Sequence, residues 1–288
     1  MMQREGFSIG EACHTVGVSR AGFYRDFAVR EPRRADNELR DAIQRIVLEN
    51  RCVGYRRVAA LLREQGRNEN RKRVLRLMRE DNLLALKKRR FVFTTDSLHP
   101  FAVYRNLAAE FTPQRINQLW VADITYLRLQ ETFVYLAVVL DAYSRRVVGW
   151  EVEERMGAEL PLKALNRALA EREIEPGIIH HSDRGVQYCS QRYMERLEEC
   201  GFRISMSGRG RPWENAQAES FMKTLKCEEV YLTRYRDLAH LKESVGVFID
   251  EVYNRKRLHS SLGYRSPADF EAAEAACSEP IEEMEGAE

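Results

Sequence analysis

A short apolar run, Ile178-Ile179-His180-His181-Ser182, ends in the carboxylate of Asp183 and the glycine-containing turn Arg184-Gly185. Such a run reads as a buried strand that carries an acid to the edge of a sheet. A buried carboxylate is costly unless it is paired, hydrogen-bonded or bound to a metal, so this stretch demands companions elsewhere in the chain. Two acids qualify. Asp123 lies within Trp120-Val121-Ala122-Asp123-Ile124-Thr125-Tyr126-Leu127, an apolar, β-prone run where solvation is poor. Glu219 lies in a helical stretch that opens at Glu214-Asn215, and spacings of four and seven put Glu219, Lys223 and Lys226 on one face, with Phe221 and Leu225 free for the core. Three carboxylates from two strands and a helix form an oxygen-donor set suited to Mg²⁺ or Mn²⁺, beside cations suited to phosphate.

Between Asp123 and Asp183 lie 59 residues, and between Asp183 and Glu219 lie 35. This spacing resembles the Asp-Asp-35-Glu signature of ribonuclease-H-like polynucleotidyl transferases, a group that includes retroviral integrases and many bacterial transposases. The surrounding words WVADITYL, VVLDAYSRRVVGW, HHSDRGVQY, ENAQAESFMKTLK and YNRKRLHSSLGYRSPADF are similar to the integrase-core transposase of the IS-three family of insertion sequences. The resemblance runs from about Asn117 to Phe270, and weaker family-like helical words reach back to about Ile9.

The resemblance implies metal-dependent DNA cleavage and strand transfer at element ends. Asp123, Asp183 and Glu219 would be the catalytic and metal-binding acids, with two Mg²⁺ or Mn²⁺ ions per site. It also implies double-stranded DNA partners (terminal repeats and target), a homo-oligomer on DNA, and an upstream-frame protein or frameshift-fusion segment. Lys226 would hold terminal phosphate. His181, two residues before Asp183, resembles a family position and is a candidate for supporting the acid, as is Asn215; core packing would account for His181 equally. Glu214 and Asn215 sit near the N-terminus of the Glu219 helix, favourable for capping and for the dipole, although Glu214 departs from the family, which often has Asp before this Asn. Two other readings compete: a non-catalytic DNA-binding regulator of transposition, and a ribonuclease-H-like nuclease without strand transfer. The presence of all three acids argues against the first, and the added DNA-binding helices against the second.

The order of elements predicts an α/β fold. Strands are expected over 119–129, 132–141, 146–152, 178–183 and 202–206, with helices over 157–172 and 191–200. A three-strand meander followed by strand and helix alternation is the order of a ribonuclease-H-like, mixed five-stranded sheet with flanking helices. Asp141 ends the second strand at a hairpin turn and is read as structural. A further helix is expected from Asp237 to about Asn254, with Leu238, Leu241, Val245, Phe248, Ile249 and Val252 as its apolar stripe. Near the last acid, Ser207-Gly208-Arg209-Gly210-Arg211-Pro212-Trp213 reads as a movable loop in which Arg209 and Arg211 can clamp DNA.

Charge divides the chain more usefully than its net +2. Residues 1–110 hold 23 Lys/Arg against 14 Asp/Glu, residues 111–269 balance at 23 each, and residues 270–288 hold seven acids and no cation. A basic front beside a neutral core fits DNA held by one part and cut by another. The front is read as all-α. Residues 1–34 form a helix-turn-helix-like segment with Arg20 and Arg25 placed toward DNA, although a packed helical hairpin would use the same residues. Residues 35–90 form a second helix-turn-helix-like domain, with Arg56, Arg57, Arg71, Lys72, Arg73 and Arg76 as DNA contacts. A linker (91–116) with the basic run Lys87-Lys88-Arg89-Arg90 before it leads to the catalytic core with C-terminal helices (117–270), and an acidic tail (271–288), a short helix or disordered, follows.

Six scattered cysteines lack a C-x-x-C pair, so neither disulfide framework nor zinc module is expected. No apolar run reaches the roughly 20 residues of a membrane span, and no signal-peptide core is present. The sequence is read as cytoplasmic and bacterial, associated with the nucleoid when on DNA.

Overall fold

The computed structural model describes residues 8–21, 34–50, 52–84 and 103–278. Helix α1 (Ile9–Val16) starts at a capping box: Ser8 accepts from the Glu11 amide, and Glu11 accepts from the Ser8 amide. It ends at Gly17, whose left-handed backbone (φ 69°) suits the residue without a Cβ. Arg20 begins a new helical turn, and Arg25 lies outside the described residues. Helices α2 (Arg34–Glu49), α3 (Tyr55–Glu64) and α4 (Arg71–Glu80) pack around Leu39, Ile43, Ile46, Val58, Leu62, Val74, Leu77 and Met78. Asn70 caps α4 by accepting from the Lys72 amide at 2.8 Å.

The core is a five-stranded sheet in the order β3-β2-β1-β4-β5. Strands β1 (Leu119–Leu129), β2 (Thr132–Asp141) and β3 (Val147–Glu153) form an antiparallel meander. Strands β4 (Ile179–Ser182) and β5 (Arg203–Met206) add in parallel beside β1. Helices α5 (Glu159–Glu171) and α6 (Gln191–Glu199) complete the elements expected from sequence, and all these boundaries fall within two residues of expectation. Alternation along β1 divides its side chains between two cores: Trp120 and Ala122 pack with α5 and α6, whereas Leu119, Val121 and Leu127 pack with α7 (Ala216–Leu225) and α8 (Leu238–Val247).

Where α5 crosses β3, contact depends on a missing side chain. A Cβ on Gly149 would lie 2.2 Å from the Ala164 carbonyl oxygen and 2.8 Å from the Ala168 amide nitrogen, both backbone atoms with no rotamer to yield. Gly149→Ala is expected to destabilise the core by roughly 3 kcal/mol, the upper end for overpacking. Urea unfolding of the variant checks this, and an unchanged midpoint would show that α5 can move away.

Asp141 has the structural role expected of it. Fully buried, it accepts from the amides of Asn117 (2.7 Å), Tyr143 (2.8 Å) and Ser144 (3.0 Å), tying the start of β1 to the β2–β3 turn. Burial still pushes its carboxyl above the ordinary range, against those three donors.

Two expectations need correction. The helix after Asp237 becomes a π-helical turn at Phe248–Tyr253. The wider turn takes up an extra residue, so Val252 swings outward (36% exposed) and Tyr253 takes its place in the core, edge-on to Phe221. The boundary at residue 270 also dissolves, because α9 (Pro267–Ser278) runs straight through it. The stretch after Phe270, expected as a short helix or a disordered acidic tail, is the helix, and its Glu271 is buried and receives Arg146 (2.8 Å) and Arg172 (2.6 Å).

Candidate active site

The parallel pairing of β1 and β4 brings the first two acids together. Its register sets Val121 opposite His181, and Asp123 and Asp183 each follow two residues later. Residues two apart on a strand share a face, so Asp123 leaves β1 on the Val121 side, the side covered by α7, and Asp183 follows directly after the last residue of β4. That helix turns Ala218, Phe221, Met222 and Leu225 into the core, and Glu219 stands beside them, half-buried. All three acids are partly open to solvent.

Their coupling appears in the protonation of Asp123. Its carboxyl is pushed up to about 8, first by burial and then by the charge of Asp183, with Glu219 adding to the effect and Lys226 opposing it. Lys226 continues directly from α7, with its ammonium 4.5 Å from the centre of the Tyr126 ring. Burial lowers the Lys226 pKa, and Asp123 partly restores it. Asp183 directs one oxygen to the Gly185 amide at 2.9 Å. Among the described residues, no three Asp, Glu, His or Cys side chains are gathered closely enough to clasp one ion as they stand. The donor set still fits a hard divalent cation. The charges of Asp183 and Glu219 both act on Asp123, with Lys226 opposing them, and such an excess of negative charge suits an oxygen-seeking ion.

Neighbouring residues hold the frame. Asn215, expected to cap the Glu219 helix, makes no cap hydrogen bond. Its amide instead donates to the Ala122 carbonyl at 2.9 Å, bolting α7 to the strand residue next to Asp123. The Asn215 Oδ1 and Gln217 Oε1 atoms are buried without a partner. His181 Nδ1 meets the Ser205 hydroxyl at 2.8 Å, and that hydroxyl also receives the Leu107 amide. Burial holds His181 neutral, with its pKa down to about 4. It faces β5 and the chain before β1, while His180 faces the other core and meets the Tyr193 hydroxyl at 3.0 Å.

Glu214, also expected near a cap, closes the loop before the helix. It accepts from the Gly208 amide (2.6 Å), Asn106 (2.7 Å) and Arg211 (3.2 Å), and the Gly208 amide is the largest cause of its lowered pKa. Arg209 and Arg211 are exposed on this loop, as is Lys223 on α7.

The cations of the front divide differently from the expected DNA-facing set. Arg73 and Arg76 both pair with Asp36, and also with Glu69 and Glu80 respectively. Part of their charge is compensated inside the helical module, and the Arg76 side chain keeps 51% of its surface exposed. Arg57 reaches Glu228 of the core at 3.1 Å, Arg56 lies over Tyr55, and Arg71 lies over the core ring of Tyr264 at 5.4 Å. Lys72 remains exposed, and the run 87–90 lies outside the described residues. Nothing in the spacing of Glu228 marks a long-range partner, and Arg257 and Tyr264 stand in the sequence only as part of the family-like word YNRKRLHSSLGYRSPADF and its basic cluster.

Comparison with known proteins shows the family. An integrase core domain matches residues 113–212, a second integrase core domain matches 200–267, and an HTH-like domain matches 34–91. The transposase InsF for insertion sequence IS3A of Escherichia coli (strain K12) is 36% identical over 271 residues, covering 92% of this chain and 94% of that protein. The chain belongs to the IS3-family transposases. The insertion element IS600 31 kDa protein of Shigella sonnei is 40% identical over 263 residues, 90% of this transposase and 96% of that protein. The transposase for insertion sequence element IS904 of Lactococcus lactis subsp. lactis (strain IL1403) is 37% identical over 76% of this chain and 87% of that one. A simian T-cell lymphotropic virus intasome in complex with PP2A regulatory subunit B56 gamma superposes with a TM-score of 0.46 at 14% identity, over 80% of this chain and 72% of that chain. The transposase is thus a polynucleotidyl transferase of the integrase-core type, acting on DNA. No helix among the described residues is long and apolar enough to cross a membrane.

Proposed function

We propose that Asp123, Asp183 and Glu219 are the catalytic acids of this transposase, and that they hold two Mg²⁺ or Mn²⁺ ions while DNA is cut at the element ends and joined to a target. One observation carries the reading: the parallel register of β1 and β4 sets Asp123 and Asp183 at corresponding positions beside the helix of Glu219, and burial with their mutual charge raises the Asp123 carboxyl, a repulsion that bound cations would relieve. When bound, such ions supply Lewis-acid stabilisation of the scissile phosphate and activate the attacking oxygen. The chain's own residues orient the reactants. Lys226 offers its ammonium to a terminal phosphate oxygen from a fixed perch on Tyr126. Arg209 and Arg211 extend from the loop beside the site toward the DNA backbone. Asn215 keeps the Glu219 helix at a fixed distance from Asp123. Water, and then the freed 3′-hydroxyl, attacks phosphorus in line, so no covalent protein intermediate forms.

Residues 34–91 would read DNA, as their HTH-like match suggests, with 117–270 extended by α9 as the catalytic unit. Assembly of several copies on paired element ends, a fusion segment from an upstream frame and a nucleoid location belong to the same proposal. The test is a Mg²⁺-dependent strand-transfer assay on element-end DNA, comparing wild type with Glu219→Gln. Joined products from wild type and none from the variant are expected. Equal products from both would remove Glu219 from the mechanism.

A further inference from the structure

We infer that Glu228 and Arg57 are positioning residues that dock the helical module against the catalytic core and so set which phosphate is cut. The inference rests on the module's reading of DNA and on the acid site proposed above.

Glu228 is 9% exposed and receives two guanidinium groups, Arg57 from α3 at 3.1 Å and Arg257 from the core at 3.0 Å. Arg257 also approaches the Thr224 hydroxyl of α7 at 3.4 Å. Beside this pair the Cys52 thiol meets the carbonyl of Cys227 at 3.4 Å, so backbone as well as side chain of the same turn faces the module. A second contact lies on α4, where Arg71 covers the ring of Tyr264. Two separated contacts fix an orientation where one would leave a pivot. A cavity of about 260 Å³ between the two parts is lined by Asn50, Val53, Arg57, Glu228, Lys256 and Arg257 among others.

The position of Glu228 in the chain gives the contact its meaning. It belongs to the π-helical turn Lys226–Val230, which continues α7 without a break. Glu219 lies nine residues before Glu228, and Lys226 lies two before it. One continuous helical element therefore carries an acid of the site, the lysine beside it and the carboxylate that holds the module. Any shift of the module relative to Glu228 is a shift relative to the site, and misplacement of about 1 Å can cost on the order of 100-fold in rate.

Arg57→Ala removes the module's half of the contact and leaves the Arg257–Glu228 pair of the core intact. The full-length protein is assayed on a labelled element-end duplex with Mg²⁺, reading KM, kcat and the nicked phosphate. The expected result is a kcat lower by about 10- to 100-fold with KM little changed, nicks scattered over neighbouring phosphates, and substantial recovery in Arg57→Lys. Hydrogen exchange of the Lys226–Val230 amides should quicken in Arg57→Ala. A raised KM with the nick in place would make Arg57 a DNA contact and overturn the inference, as would wild-type kinetics. The Glu219→Gln control separates the two readings: if it nicks like wild type, the acid site is wrong whatever Arg57 does.

Discussion

Asp183→Asn is expected to abolish Mg²⁺-dependent nicking and joining while element-end binding is kept. The substitution preserves shape and the acceptor for the Gly185 amide, but removes the charge that couples to Asp123. Losing one preorganised electrostatic element of an active site typically costs 10²–10³-fold, and an acid that holds the metal as well should reach the upper end or pass it, about 10³-fold or more. Binding falls to other parts, the exposed cations of the loop and the helical module, so gel-shift affinity should stay within about 3-fold, a change of under about 0.7 kcal/mol. Cleavage by the variant at a tenth of the wild-type rate would exclude Asp183 as a metal-holding acid. Lost affinity with normal chemistry on bound DNA would make it a DNA contact.

The second large effect is on stability, through Asp123. Its folded carboxyl titrates near 8, against an ordinary value of 3.8, so between these values the folded state holds a proton that the unfolded state has released. Stability from this group is therefore complete below about pH 4 and is lost as pH rises toward 8. His180 and His181, whose pKa values burial lowers to about 3 and about 4, act oppositely: their contribution is full above about pH 6.5 and lost on acidification. The clean reading is thus wild type against Asp123→Asn between pH 6.5 and 8.5. About 1.5 pKa units remain in that window, worth at most about 2 kcal/mol at 1.36 kcal/mol per unit. Partial solvent exposure reduces this to roughly 1–2 kcal/mol, or roughly 3–6 °C in Tm. Metal-free wild type should lose that much relative to the variant, and Mg²⁺ at pH 8.5 should raise the Tm of wild type more than that of Asp123→Asn. Parallel pH profiles with equal Mg²⁺ shifts would show that Asp123 neither titrates there nor holds the ion.

Strands were legible in the sequence because they depend on local pattern, and the three proposed acids stand out because they fall in family-like words. Alternation in β1 and the apolar run of β4 are written in consecutive residues, and the 35-residue spacing before Glu219 sits among words shared with a large family. What escaped depends on residues far apart in the chain. The cations on α3 and α4 read as a DNA-facing surface, and no local pattern announces that Asp36 also binds Arg73 and Arg76, or Glu228 binds Arg57 from 171 residues away. Charge composition cannot tell a guanidinium facing phosphate from one facing a carboxylate of its own chain. Asn215 has the sequence of a cap, but its amide found the Ala122 carbonyl, an acceptor that no local motif announces. The outward turn of Val252 escaped for a different reason: regular helical periodicity has no place for the extra residue of a π turn.

The parallel pairing of β1 with β4 also bears on the order in which a growing chain acquires its abilities. The three-helix module closes on contacts within residues 34–84, whereas Asp123 meets Asp183 only after a long excursion through β2, β3 and α5, and Glu219 arrives later still. Short-range helical contacts form quickly and long-range parallel pairing slowly, and synthesis releases the N-terminal part first. A nascent transposase therefore completes its helical module before it has any means of cutting. Chains that stop short of residue 219 would carry that module without Glu219.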